Sequence, residues 1–164
     1  MSRPRAHRVK TYKQRPIMPW GGLGIIVDRA MAAQDQQTMH TDDQVDLNIA
    51  YWLAMNTMLT GASTEQDWSV VVCALNIALI LTERGLGAEF EPYMVKALTG
   101  AFRAKIRGDR TGVWRFDGEA INDIRAALEI HDEQVKMASR LELREAILEV
   151  YRRIDTKNVF EVAA

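Results

Sequence analysis

From Thr41 onward the apolar residues of this chain recur at three- and four-residue steps. That is the spacing of one helix face, and nowhere does a convincing strand alternation appear. Thr41-Asp42-Asp43 reads as a helix start: a capping residue, then acids where the helix dipole favours negative charge. Val45, Ile49, Trp52, Met55 and Leu59 follow as the expected core stripe, and Gly61 suits a left-handed helix end. Ser63-Thr64-Glu65-Gln66 has the S-x-x-Q form of a capping box. It predicts a second helix over residues 64–84, stopped at Arg84-Gly85. The middle of that helix, residues 70–81, is apolar on nearly every side. Such a helix must be enclosed by others, so it is expected at the centre of a bundle.

Pro92 suits the first turn of a third helix ending near Gly108, with Tyr93, Val95, Ala97, Leu98, Ala101, Phe102 and Ile106 as its apolar side. A loop carrying Gly108, Gly112 and Asp117-Gly118 follows, with Asp117 as the cap of a fourth helix. Ile121, Ile124, Leu128, His131, Val135 and Ala138 form its stripe. Ser139-Arg140-Leu141-Glu142 resembles another capping box, so a break is expected near Ala138. Leu143, Ile147, Val150, Tyr151 and Ile154 line a last helix, and residues 155–164 read as a tail. A short helix is expected over residues 23–33. The pattern predicts an all-α, single-domain helical bundle of about five helices over residues 21–154.

Charge adds an arm to this picture. Residues 1–20 carry Arg3, Arg5, Arg8, Lys10, Lys13 and Arg15 and no acid, whereas residues 21–164 carry 15 basic and 22 acidic residues. A +6 segment thus precedes a −7 body. Pro4, Pro16 and Pro19 favour an extended basic arm over a helix. The arm lacks the apolar stretch of a secretory signal, and no run approaches the 18 or so apolar residues that span a bilayer. The chain has 164 residues, 48% hydrophobic and 26% charged, enough to bury a core without a disulfide or metal. A single cysteine, Cys73, excludes an intramolecular disulfide and points to a reducing compartment.

Candidate chemistry is sparse. The arm's cations, with Tyr12 for stacking, could contact phosphates and bases; docking on an acidic protein surface or a passive role is the competing reading. Arg103, Arg107 and Arg110 fall on one helical side, with Arg115 near, and form a second candidate patch for a partner or nucleic acid. Arginine at a helix C-terminus is also favourable for the dipole alone. Trp114 reads as a plug under the loop. His131 has no second histidine at a zinc spacing and Leu128 stands where a di-iron bundle needs an acid, so a packed histidine is expected. Asp132 and Glu133 fall on other faces. Asp42, Asp43 and Asp46 are explained by capping, and Gly21-Gly22-Leu23-Gly24 reads as a hinge. Cys73 should be an inert core thiol. Asn76, in the same run, needs a hydrogen-bond partner and is a candidate for specifying how helices meet. No cofactor, metal site or catalytic set is expected.

Several stretches resemble a group of small proteins encoded by phages and prophages of proteobacteria. They are residues 12–16, residues 59–64 leading to Asp67-Trp68, Ala74-Leu75-Asn76-Ile77-Ala78, Gly85-Leu86-Gly87-Ala88-Glu89-Phe90, residues 111–116 and residues 128–132. The resemblance covers most of residues 10–154. It implies an intracellular, phage-derived accessory protein of the bacterial host cytoplasm and transfers no active site. The expected function is non-enzymatic: binding a host or phage protein complex, such as a CRISPR effector or other host defence. The alternative is a nucleic-acid-binding accessory protein using the arm and the 103–115 patch. A membrane partner is not expected, and a homodimer through the exposed side of the fourth helix is a candidate.

Overall fold

A run as apolar as residues 70–81 has to be wrapped, and the other helices wrap it. A computed structural model describes residues 37–156. The basic arm, the hinge at residues 21–24, the short helix expected over residues 23–33 and the tail from residue 157 lie outside the described residues. Within them the order is α1 (Thr41–Thr60), α2 (Glu65–Glu83), a 3-10 turn (Ala88–Phe90), α3 (Glu91–Thr111), α4 (Gly118–Met137) and α5 (Arg140–Asp155). The architecture is the expected all-α bundle. The only β pairing among the described residues is an isolated bridge between Thr38 and Ser139.

Helix α2 packs against α1, α3, α4 and α5. Ten of its residues are buried, from Val71 to Thr82. A fully buried aliphatic side chain contributes roughly 1.5–3 kcal/mol, so this one element carries much of the core. On length and composition alone α2 is apolar enough to cross a membrane, with 19 residues at mean hydropathy 1.3. The uncharged stretch bounded by Asp67 and Glu83 includes Trp68 and Thr82 beyond residues 70–81, and a buried core helix passes the same test. More than half of that stretch is buried inside the bundle.

Local chemistry sets the boundaries. Gly61, Gly85 and Gly112 adopt left-handed φ values of 77°, 99° and 72°, which end α1, α2 and α3. Asp117 caps α4 by accepting the Ala120 N–H, and Ser139 with Glu142 forms the capping box of α5. Two start signals shift by a residue. The N-cap of α1 is His40, with Thr41 already helical. The box of α2 is Thr64 with Asp67, because Ser63 turns away and donates its hydroxyl proton to the Trp114 carbonyl.

Two helix faces depart from expectation. Helix α1 buries Leu47, Tyr51, Ala54, Met55 and Met58, while Val45 and Ile49 are exposed. It is apolar nearly all round, so spacing alone leaves the inward side undetermined. Helix α3 buries Met94, Ala97, Leu98, Gly100, Ala101, Ala104 and Gly108, while Tyr93, Val95 and Ile106 face outward. Here close approach selects small residues over greasy ones. A Cβ on Gly100 would stand 2.6 Å from Cβ and 3.0 Å from Cα of Ala120 on α4. One on Gly108 would stand 2.5 Å from the Trp114 ring, which is why α3 runs through Gly108 to Thr111.

Gly100→Ala is therefore expected to destabilise the fold by about 1–3 kcal/mol despite a helix-propensity gain of about 1 kcal/mol. Urea denaturation measures it; a variant more stable than the parent would show that α3 and α4 are not in close contact.

Candidate interaction surfaces

The polar groups inside the bundle form two adjoining clusters where α4 meets α1 and α2. Tyr51, wholly buried on α1, donates its phenol proton to an Asp132 carboxylate oxygen and lies 2.7 Å from Asn48 Oδ1. Trp52 Nε1 donates to the same carboxylate at 3.0 Å. Burial, reinforced by the Asp132 hydrogen bond and charge, holds the Tyr51 phenol far above its ordinary range. One helical step away, Gln134 Nε2 donates to Leu86 O at 2.9 Å, Thr82 Oγ1 at 2.9 Å and Ala78 O at 3.2 Å. Its Oε1 is therefore the atom turned to His131 Nδ1, 3.4 Å away, and Nδ1 carries the imidazole proton. Burial pushes the His131 imidazole down to about 4, against weaker opposing effects of Gln134 and Asp132.

His131 is thus the packed histidine that its stripe position implied. Asp132 is the residue that sequence reasoning missed: the carboxylate beside His131 turns to a different helix from the one Gln134 reaches. Both clusters knit helices together; Tyr51, His131 and Gln134 are buried, while Asn48, Trp52 and Asp132 are half-buried. Among the described residues no group of His, Cys, Asp and Glu converges as a metal site. Cys73 is buried, and that burial pushes its thiol well above the ordinary range. Asn76 does not specify helix pairing: it is half-buried and donates to Val72 O of its own helix at 2.8 Å.

The 103–115 patch is partly consumed by the fold. Arg103 grips Asp117 in a two-pronged pair, at 3.1 and 3.2 Å, and reaches Glu119 at 3.1 Å. The Asp117 hydrogen bond raises the Arg103 guanidinium, and Arg103, then the Ala120 N–H, lowers the Asp117 carboxyl. Arg107 stands 3.8 Å from Asp117 and donates to Arg115 O at 2.5 Å, tying down the loop after α3. Arg110 and the Arg115 side chain remain exposed without an ion pair among the described residues. Trp114 plugs the loop: its ring lies over Gly108 and 5.6 Å from Trp68, whose Nε1 donates to Ala101 O. Arg3, Arg5, Arg8, Lys10, Tyr12, Lys13 and Arg15 lie outside the described residues.

Two apolar surfaces face outward. On α1, Val45, Ile49 and Leu53 repeat at four-residue steps and are 49%, 57% and 64% exposed. Side chains four apart stand one above the other on a helix, so the three make a continuous aliphatic ridge. The second surface is a groove of about 390 Å³ between the start of α3 and the second half of α4. Phe90 and Tyr93 form one wall, with rings edge to face at 6.2 Å. Ile130 and Met137 form the other, and Glu129 and Glu133 stand at the rim. Neither surface followed from the stripe pattern, because exposure depends on which neighbour arrives and a groove needs two elements.

Comparison of the chain with family models, with curated proteins and with solved structures gives no match.

Proposed function

We propose that this chain is a non-enzymatic, phage-derived interaction protein. It works in the cytoplasm of a bacterial host by covering part of a host or phage protein complex, in the manner of an inhibitor of host defence such as an anti-CRISPR. The observation that carries the reading is the ridge of Val45, Ile49 and Leu53, which nothing among the described residues covers. Large aliphatic side chains in water gain free energy when a partner removes them from it. The −7 charge of residues 21–164 favours a basic partner surface, such as a channel built for nucleic acid. The reading is also supported by the engagement of the polar groups with one another, Tyr51 with Asp132 and Gln134 with α2, and by the burial of Cys73.

The test is affinity purification of tagged protein from infected or lysogenic cells, with nuclease treatment. A stoichiometric protein partner is expected, bound at least about tenfold more weakly by the Ile49→Glu, Leu53→Glu double variant. Both positions are solvent-facing, so the helical circular dichroism should be unchanged. Recovery of nucleic acid alone, lost with nuclease, would instead support the second reading, in which the basic arm works with Arg103, Arg107, Arg110 and Arg115. An empty eluate would sink both.

A further inference from the structure

The geometry points to the groove between Phe90, Tyr93 and α4 as the docking site of a segment of this same chain, Lys13-Gln14-Arg15-Pro16-Ile17-Met18-Pro19-Trp20. Three independent observations converge on that occupant.

The first is the chemistry of the groove. Paired aromatic rings and aliphatic side chains make an apolar floor, with Glu129 and Glu133 on the rim. Aromatic-lined grooves suit extended proline-bearing segments, whose preset φ lowers the entropy lost on docking. A carboxylate at the edge then selects a neighbouring cation. Glu129 has no ion pair among the described residues, and the partner of Glu133 is Lys136 on its own exposed turn.

The second is the composition of the segment. Pro16 and Pro19 form the one P-x-x-P spacing in the chain. Lys13 and Arg15 precede it, Trp20 follows it, and residues 1–20 contain no acid to repel the glutamates. It joins cationic, proline and aromatic character in one short stretch, the complement of the groove.

The third is where the chain enters the bundle. Gln37 O accepts a hydrogen bond from Arg140 N at 2.9 Å, and Thr38 bridges Ser139. Ser139 lies two residues beyond Met137, which lines one end of the groove. The preceding residues therefore start from that end. The link from Trp20 to Gln37 reaches at most roughly 60 Å, ample for return to the groove. Along α4 the groove runs from Ala126 to Met137, about 17 Å at the helical rise. Arg15 to Trp20 in polyproline geometry spans about 16 Å. The match sets a direction: Trp20 at the Met137 end, the prolines over Phe90 and Tyr93, and Arg15 beside Glu129.

The test uses the full isolated chain and needs no outside partner, so it stands or falls separately from the proposed function. Gln14→Cys carries a nitroxide, Cys73 being buried, and amide intensities are read by NMR. Ala126, Glu129, Ile130 and Met137 are expected to lose intensity, while Gly61 and Trp114, beyond the far end of α3, keep theirs. Glu129→Arg should abolish the loss, and Arg15→Glu added to it should restore it. The double variant Pro16→Ala, Trp20→Ala, which changes no described residue, should also abolish it. Uniform intensities, or a loss insensitive to these variants, would overturn the proposal. So would a loss seen only on unlabelled copies mixed with spin-labelled ones, which would make the occupant a second chain.

Discussion

Gln134→Ala is expected to lower stability by about 3 kcal/mol and the melting temperature by roughly 10 °C. The cause is the number of groups that one amide serves. Its Nε2 meets Ala78 O and Thr82 Oγ1 on α2 and Leu86 O just past the end of α2. Ala78 O keeps a bond from Thr82 Oγ1 in the variant, but Leu86 O and His131 Nδ1 lose the partner that Gln134 gave them. A buried polar group without a partner costs about 1–3 kcal/mol, and the void left by the amide adds to that. Urea denaturation with two spectroscopic probes gives the measurement. A loss under 1 kcal/mol would mean that water replaces the amide and that the site is wetter than its burial indicates.

Acidification should weaken the fold through His131 before most carboxylates titrate. The ordinary imidazole value is 6.5, and burial holds His131 near 4 in the folded state. Above pH 6.5 the ring is neutral in both states and its contribution is complete. As pH falls from 6.5 toward 4 the unfolded chain takes up a proton that the folded chain refuses. Stability declines across that window by roughly 3 kcal/mol in all. The acids held by arginine hydrogen bonds, Glu149 (to about 2) and Asp117, and Glu142, held by hydrogen bonds from Ser139, have depressed values, and their losses fall in a lower window. Urea midpoints at pH 7.5, 6.5, 5.5 and 4.5 separate the two. The His131→Gln variant should be flatter between 6.5 and 4.5, and an identical slope would assign the effect elsewhere.

What the sequence made legible were the local events. Gly61, Gly85, Asp117 and the Ser139–Glu142 box act through backbone geometry within a few residues, so composition reveals them without the fold. The central place of α2 was legible because twelve nearly unbroken apolar residues leave no side for water. Helix α1 was misread in rotation because Val45-Ile49-Leu53 and Leu47-Tyr51-Met55-Met58 are both apolar stripes, and only packing decides between them. On helix α3 the expected Ala97, Leu98 and Ala101 are buried, but Tyr93, Val95 and Ile106 face outward, because Gly100, Ala104 and Gly108 on the inward side signal little on a hydrophobicity scale and much about distance. Asp132 was missed for a third reason: its donors, Tyr51 and Trp52, stand some 80 residues earlier in the chain. Of the candidate patch, Arg103 and Arg107 are drawn into the loop by Asp117, an acid already assigned to capping.

The hub arrangement of α2 has a consequence for how such a protein can change over generations. α1 and α5 both lean on α2 and share no substantial contact with one another. A substitution on the outward side of α1 therefore requires no compensating substitution in α5, and the hub can stay constant while that side drifts. Val45, Ile49 and Leu53 can thus be rewritten repeatedly on an unaltered chassis.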